Sequence, residues 1–187
     1  MGNWLIEPAT VESLPDILQI EEACFSAPWT RKMMEAEMSG NPFAHFLVPR
    51  RATAERGAPS AIGGYVCFWI VFEEVRLLNL AVIESMRRQG IATSLVTAAL
   101  QAGALQSAVR AVLEVPASNG AAQTLYQNLG FRQTGLRPSY YSAPPEDAVL
   151  MELDPLEGNA LMRSPAGDDM GGQPSPAQPL KPGGATC

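Results

Sequence analysis

The 187-residue chain has only three cysteines, a single histidine and no excess of basic residues. Cys24, Cys67 and Cys187 are far apart and show no CxxC spacing, and His45 stands alone, so the usual residues of a zinc site are missing. The net charge of −6 argues against a nucleic-acid-binding protein, because such proteins usually carry a basic face. We therefore predict no metal and no nucleic-acid partner.

Long apolar runs are also absent. The longest, residues 62–72, is too short to cross a bilayer, since a helical span needs about 20 residues. The N-terminal region contains Glu7 and Glu12 and lacks the basic segment of a signal peptide. Scattered cysteines are typical of reduced thiols in the cytosol. Together these observations predict a cytoplasmic protein with no membrane association.

The C-terminal part of the chain lacks aromatic residues. Residues 155–187 number 33 and include six prolines and six glycines. Such a segment has too little apolar surface to offset the entropy that it would lose on ordering. Residues 1–154 have the aliphatic content of one globular domain. We expect a domain over 1–154, a disordered tail over 155–187 and, inside the domain, a mobile hairpin loop over the polar residues 49–60.

Hydrophobic periodicity within the domain predicts strands and helices in alternation. Ser13, followed by an early proline and an acid, is typical of a helix start, and Gly130 is typical of a helix end. The pattern indicates an α/β (α+β) fold with a mixed sheet. Seven strands are predicted at residues 4–7, 43–48, 62–72, 75–82, 111–115, 131–141 and 149–153, and four helices after residue 13, from about 30 to 41, and at 91–105 and 121–129.

The most informative stretch is residues 77–93, LLNLAVIESMRRQGIAT. An apolar strand is followed by a polar turn and then by a helix start, where main-chain N–H groups lack intrahelical partners and attract anions. Gly90 has no Cβ to keep a ligand from the backbone, and Arg87 and Arg88 can bond phosphate oxygens. Alone, the stretch also fits an ordinary strand-to-helix connection. It is neither a Walker loop nor a Rossmann fingerprint.

Several strings of the sequence carry a specific resemblance. R-x-x-G-x-A at residues 87–92 resembles the acetyl-CoA pyrophosphate loop of the GNAT N-acetyltransferase superfamily, and LEVPASNGAAQTLYQNLGF at 113–131 resembles the second half of that family's core. FSAPW, LNLAV, RPSYY and EDAVLM are similar to the RimI family, which acetylates the N-terminal alanine of a small-subunit ribosomal protein. The resemblance spans nearly all of residues 4–154. It implies the GNAT fold, a mostly antiparallel sheet flanked by helices, with acetyl-CoA as co-substrate.

The same resemblance implies a set of acetyl-CoA-binding residues. In this family the main chain at the end of the strand holds the pantetheine like an added strand and polarises the thioester carbonyl. Asn119 is also a good helix cap, and both roles can hold at once. Two departures from the family pattern are Pro116 and Thr93, each at a position where relatives often have a basic residue. The implied set is Leu80, Ala81, Val82, Arg87, Arg88, Gln89, Gly90, Ile91, Ala92, Thr93 and Asn119.

Glu114 and Tyr126 match the catalytic positions of the family. Glu114 ends an apolar strand, where it could simply point into water, and Tyr126 lies in an amphipathic helix, where a tyrosine is usually a core residue. The resemblance implies instead that Glu114 is the proton acceptor and that Tyr126 protonates the departing thiolate. Direct transfer of this kind requires no covalent enzyme intermediate.

The acceptor is less well specified than the chemistry. By analogy, the N-terminus of a ribosomal or similar protein lies between the loop after the first helix and the hairpin with Tyr140 and Tyr141, although those tyrosines could equally be packing residues. A small-amine N-acetyltransferase and a non-catalytic acetyl-CoA sensor are the alternatives. The presence of both Glu114 and Tyr126 favours an enzyme. We expect a monomer or a weak dimer.

Overall fold

The structure is a computed structural model that describes residues 4–51, 62–142 and 144–156. All seven predicted strands and all four predicted helices are found there, with small differences at their ends. No helix of these residues is long and apolar enough to cross a membrane. The order is β1 Trp4–Pro8, α1 Leu14–Cys24, α2 Arg31–Gly40, β2 Ala44–Arg51, β3 Gly64–Val71, β4 Glu74–Val82, α3 Ile91–Ala104, β5 Arg110–Pro116, α4 Gly120–Asn128, β6 Arg132–Ser142 and β7 Pro145–Leu153.

One sheet contains all seven strands, in the order β1-β2-β3-β4-β5-β7-β6. Only β4 and β5 are parallel, and α3 connects them; every other neighbouring pair is antiparallel. The predicted mixed, mostly antiparallel sheet is therefore confirmed. The parallel pair lies at its centre, where the two halves of the chain meet.

Helices cover both faces of the sheet, and each face has its own apolar core. On one face, α3 and α4 bury residues such as Leu95 and Tyr126 against β3, β4, β5 and β7. On the other face, α1 and α2 bury Ile17 and Met34 against β2, β3 and β4. Leu113 and Val115 of β5 belong to the first core. Because successive strand residues point to opposite faces, the residue between them points to the α1/α2 face.

A β-bulge in β4 changes which residues face which core. Cys67 is opposite Asn79 and Phe68 is opposite Leu77, so Leu78 is the extra residue in the pairing with β3. Leu77 and Leu80 are consequently both in the α3/α4 core although they are three positions apart. Asn79 is turned to the α1/α2 face, where its side chain is buried.

The predicted helix start at Ser13 is confirmed, since α1 begins at Leu14. Ser13 makes no side-chain cap, because it lies in a short 3₁₀ turn, Val11–Ser13, and its hydroxyl accepts a bond from the Thr10 N–H at 3.3 Å. One local prediction was wrong. Residues 49–51 continue β2 and do not begin a loop, since β1 pairs along them and Glu7 forms an ion pair with Arg50. The rest of the predicted loop, residues 52–60, lies outside the described residues.

The packed domain extends slightly beyond its predicted end at residue 154. Leu156 is 0% exposed and belongs to the α3/α4 core, and its N–H donates to the carbonyl of Val109 at 2.6 Å. The compositional change at Pro155 therefore does not coincide with the end of packing. The remainder of the predicted disordered tail, residues 157–187, lies outside the described residues.

Truncation at two neighbouring positions tests this boundary. A chain that ends at Asp154 loses the buried Leu156 side chain, which is worth about 2 kcal/mol of burial, so we expect its melting temperature to fall by roughly 4–8 °C. A chain that ends at Leu156 should melt like the full-length protein. Differential scanning calorimetry of the three chains measures this, and equal melting temperatures for both truncations would contradict the assignment of Leu156 to the core.

Candidate active site

The two central strands separate towards their carboxyl ends. Parallel pairing of β4 with β5 runs from Glu74 opposite Arg110 to Leu77 opposite Leu113 and stops there. Beyond that point β4 stays paired with β3 as far as Val82, and β5 stays paired with β7. The two inner edges thus leave a gap in the middle of the sheet. The carboxyl ends of parallel strands are where α/β sheets usually bind ligands.

The pairing of β3 with β4 determines which main-chain groups face this gap. Ile83 donates its N–H to the carbonyl of Gly63 at 2.9 Å. Hydrogen-bonded pairs alternate along antiparallel strands, so the main chain of Ala81 points to β3 and those of Leu80 and Val82 point away from it. Of the three residues predicted to bind pantetheine, Leu80 and Val82 therefore direct N–H groups towards the gap.

The turn between β4 and α3 presents main-chain N–H groups to the outside. Gly90 has φ +81° and is the N-cap of α3, and it provides no side-chain cap. The first intrahelical bond runs from the Ser94 N–H to the Gly90 carbonyl at 3.0 Å, so the N–H groups of residues 91–93 have no intrahelical partner. A Cβ on Gly90 would meet nothing within 4 Å. This open, unfilled helix start fits an anionic group of a ligand.

The side chains of the turn differ in their surroundings. Arg87 donates from Nε to the Val82 carbonyl at 3.1 Å, which places its guanidinium where β4 ends. Arg88 is exposed and has φ +61°. Gln89 is also exposed and donates to the carbonyl of Ser85 at 3.4 Å. The predicted residues further along α3 contribute mainly main chain, since Ile91 is buried, Ala92 is small and Thr93 is exposed.

Glu114 lies on β5 at the rim of the gap, on the α1/α2 face. Its side chain is only 17% exposed, and Oε1 is 3.4 Å from Nη1 of Arg137 on β6. The guanidinium of Arg137 in turn lies 5.0 Å from the centre of the Tyr140 ring, a cation–π distance. Glu114 is thus a half-buried, paired carboxylate, and not the solvated strand-end glutamate that was the simpler expectation.

The predicted residues of α4 lie on the other side of the sheet. Asn119 caps α4, and its side chain accepts a bond from the Ala122 N–H at 3.0 Å. Tyr126 is 4% exposed in the α3/α4 core, with its ring centre 5.6 Å from that of Phe131 in an edge-on contact. Glu114 and Tyr126 therefore occupy opposite faces of the sheet. The gap next to β5 lies between these two faces.

The two tyrosines of β6 lie near both predicted catalytic residues. Tyr140 and Tyr141 are in an edge-on contact, with ring centres 5.1 Å apart. Burial is the main cause that raises the pKa of Tyr141. The phenol of Tyr140, the carboxylate of Glu114 and the phenol of Tyr126 raise this pKa by smaller amounts. Burial and Glu114 also raise the pKa of Tyr140. Both phenols therefore stay protonated and remain hydrogen-bond donors near neutral pH.

Sequence reasoning missed a buried polar network on the α1/α2 face. It joins Glu21 of α1 to Tyr65 of β3 and Asn79 of β4, and burial raises the pKa of Glu21 and that of Tyr65. Two signals could have revealed it. Glu21 falls on the buried stripe of α1 with Ile17, and Asn79 is a polar residue in an otherwise apolar strand end.

Comparison with known proteins agrees with this geometry. The acetyltransferase (GNAT) family matches residues 14–131. The chain is 32% identical over 142 residues to the [ribosomal protein bS18]-alanine N-acetyltransferase of Salmonella typhimurium, and the match covers 75% of this chain and 90% of that relative. It is similar to the crystal structure of the ribosomal-protein-S18-alanine N-acetyltransferase from Escherichia coli, with a TM-score of 0.71 and 25% identity over 89% of this chain and 98% of that one. The fold is also that of Arabidopsis thaliana NAA60 in complex with acetyl-CoA, with a TM-score of 0.72 and 18% identity over 81% and 98% of the two chains.

The extent of these matches establishes the family. The family match runs from the start of α1 to the end of α4 and so includes the gap, the turn before α3 and both predicted catalytic positions. The Salmonella relative is matched over nearly its whole length. The chain belongs to the acetyltransferase (GNAT) family and, within it, to the RimI family, and it is an acetyl-CoA-dependent N-acetyltransferase.

Proposed function

We propose that this enzyme acetylates the α-amino group of the N-terminal alanine of a small-subunit ribosomal protein. The observation that carries the chemistry is the gap between β4 and β5 with Glu114 at its rim and Tyr126 on the opposite face. The choice of acceptor rests on the relatives from Salmonella and Escherichia coli, whose names state this acceptor. Such an acceptor places the enzyme in the cytoplasm, where ribosomal proteins are made.

Acetyl-CoA supplies an acetyl group activated as a thioester. The N–H groups of residues 91–93, together with the main chain of Gly90, bind the pyrophosphate, and Arg87, Arg88 and Gln89 add side-chain donors. Leu80 and Val82 present their N–H groups to the pantetheine and to the thioester carbonyl, as an edge strand binds an extended peptide. The Asn119 side chain at the start of α4 completes this set.

Two side chains of the protein move protons during the transfer. Glu114 takes a proton from the ammonium form of the acceptor, and the free amine then forms the new C–N bond as the C–S bond breaks. Tyr126 gives its proton to the leaving thiolate, the new amide nitrogen releases its second proton to water, and the Tyr126 phenolate takes a proton back from water. The ion pair with Arg137 keeps the Glu114 side chain at the rim of the gap. Tyr140 and Tyr141, whose pKa values burial and the Glu114 carboxylate raise, line the acceptor side of the gap.

The acceptor can be tested with peptides. Incubation with acetyl-CoA and a set of N-terminal peptides should give acetylation of an alanine-starting ribosomal peptide well above peptides that start with other residues, read by mass spectrometry. The same peptide with a blocked α-amine is the control and should stay unmodified. If spermidine or another small amine is acetylated much faster than every peptide, the acceptor assignment is wrong while the transferase assignment stands.

Replacement of the proposed base should affect turnover and not co-substrate binding. Glu114→Gln keeps the shape of the side chain but cannot accept the proton, so we expect kcat to fall by roughly 10²–10⁴ with acetyl-CoA affinity nearly unchanged. Glu152→Gln is a matched control. Glu152 of β7 is also a strand carboxylate close to an arginine, since it lies 3.8 Å from Arg110, but it is opposite the end of β5 that is farther from the gap. Wild-type turnover in Glu114→Gln would remove Glu114 from the mechanism.

Substitution of Gly90 should prevent acetyl-CoA binding. Gly90→Asn keeps a residue that tolerates the left-handed conformation but adds a side chain where the pyrophosphate must approach, so we expect affinity to fall at least tenfold with little change in melting temperature. Gly90→Val should lose binding and also some stability, because a β-branched residue is strained at this φ. Isothermal titration calorimetry that finds normal affinity for Gly90→Asn would contradict the pyrophosphate site.

A further inference from the structure

One buried side chain joins the two sides of the proposed site. Glu21 is 1% exposed, and its Oε1 accepts a bond from the main-chain N–H of Trp29 at 2.8 Å. The side-chain nitrogen of Asn79 is 3.2 Å from both carboxylate oxygens, and the Tyr65 hydroxyl donates to Oε2. The carboxylate therefore contacts the segment between α1 and α2, as well as β3 and β4.

On the co-substrate side, the network fixes β4 where it leaves β5. Asn79 directly follows the bulge at Leu78 and directly precedes Leu80, whose main chain faces the gap. Its amide nitrogen bonds Glu21 and also the Tyr65 hydroxyl at 3.0 Å, whereas Oδ1 is buried and has no hydrogen-bond partner among the described residues. The Asn79 side chain therefore forms its hydrogen bonds with Glu21 and with the tyrosine bonded to Glu21. The position of this end of β4 thus depends on the Glu21 carboxylate.

On the acceptor side, the network fixes the segment that follows α1. Trp29 is buried in the α1/α2 core, and its main chain is held by Glu21. Cys24, the last residue of α1, has its sulfur 3.8 Å from the carbonyl of Val82, the last residue of β4. The segment from Cys24 to Trp29 therefore begins at the gap, on the face that carries Glu114.

A second buried glutamate provides a contrast. Glu37 of α2 is 4% exposed and accepts bonds from the Trp69 indole and the Asn41 amide, both at 2.8 Å. Trp69 is opposite Arg76, at the end of β3 away from the gap, whereas Tyr65 is at the near end. The two glutamates are alike in burial, but Glu37 joins only the end of its own helix to β3 among these contacts, and it lies farther from the site.

We propose that Glu21 is a positioning residue that couples the co-substrate strand to the acceptor segment, through Asn79 on one side and Trp29 on the other. The proposal rests on the proposed function, in which β4 binds acetyl-CoA and the segment after α1 borders the acceptor. Because the carboxylate is shared, the acceptor segment adopts its working position only when β4 does. Glu21 itself touches neither reactant.

Selective ¹⁵N labelling of tryptophan tests the coupling directly. The chain has three tryptophans, so the main-chain amide of Trp29 can be assigned by single replacement of the other two, Trp4 and Trp69. Saturating acetyl-CoA should shift this signal in the wild type and in Glu37→Gln. In Glu21→Gln, which keeps the shape but loses one of the two carboxylate acceptors, the shift should fall by at least half. An undiminished shift in Glu21→Gln overturns the proposal.

Kinetics of the same variants provide the second readout. We expect Glu21→Gln to raise the KM for the acceptor peptide and the Kd for acetyl-CoA together, each by about tenfold, at a temperature where the variant is folded. Glu37→Gln should lose stability with both constants unchanged. If Glu21→Gln fails to fold, Asn79→Ala breaks the same link from the β4 side and should give the same pair of changes. Unchanged constants in the folded variant refute the coupling. An inactive wild type refutes the proposed function, whereas the NMR shift and the Kd for acetyl-CoA test the coupling without requiring activity.

Discussion

The site depends on one interruption of hydrogen bonding, the point after Leu77 and Leu113 where β4 and β5 stop pairing. Main-chain N–H and C=O groups left unpaired within a sheet are costly unless a ligand or water satisfies them. Here β4 stays paired with β3 and β5 stays paired with β7, so neither strand can rotate to pair its inner edge with another strand. The opening is therefore lined by main-chain groups of β4 and β5, of which the Val82 carbonyl is bonded by the Arg87 side chain, and in the proposed function the pantetheine of acetyl-CoA lies in this opening.

The same interruption explains why the two predicted catalytic residues lie on different faces. In direct acyl transfer the amine approaches the carbonyl carbon on one side and the thiolate leaves on another, so the proton acceptor and the proton donor belong at separate ends of the reacting centre. Glu114 points to the α1/α2 face because its neighbours Leu113 and Val115 fill the other core. Tyr126 belongs to that other core. In the proposed mechanism, the gap gives one reacting carbon access to both.

Much of the fold could be predicted from the sequence because the local signals agree with it. Apolar periodicity located the strands and helices, and the predicted end of α4 is confirmed by Gly130, which has φ +95°. The features that were missed depend on register and on strand order. Leu77, Leu78 and Leu80 are all apolar, so their pattern cannot reveal which one is the extra residue of the bulge. The pairing of Arg137 with Glu114 requires β7 to lie between β5 and β6, and sequence spacing does not specify that order.

The proposed binding residues and the buried network behind them differ in how far a short motif can indicate them. A helix start with a glycine at its N-cap is a local arrangement, so a short motif can encode it. The link from Trp29 through Glu21 to Asn79 joins residues that are 8 and 58 positions apart, and no short motif contains it. Stability alone gives little reason for this link, because burial of a carboxylate costs free energy and apolar replacements are often as stable. A carboxylate can accept several bonds from different directions at once, and this is what an apolar side chain of equal size cannot do. The value of Glu21 therefore lies in the geometry that it imposes on both sides of the gap.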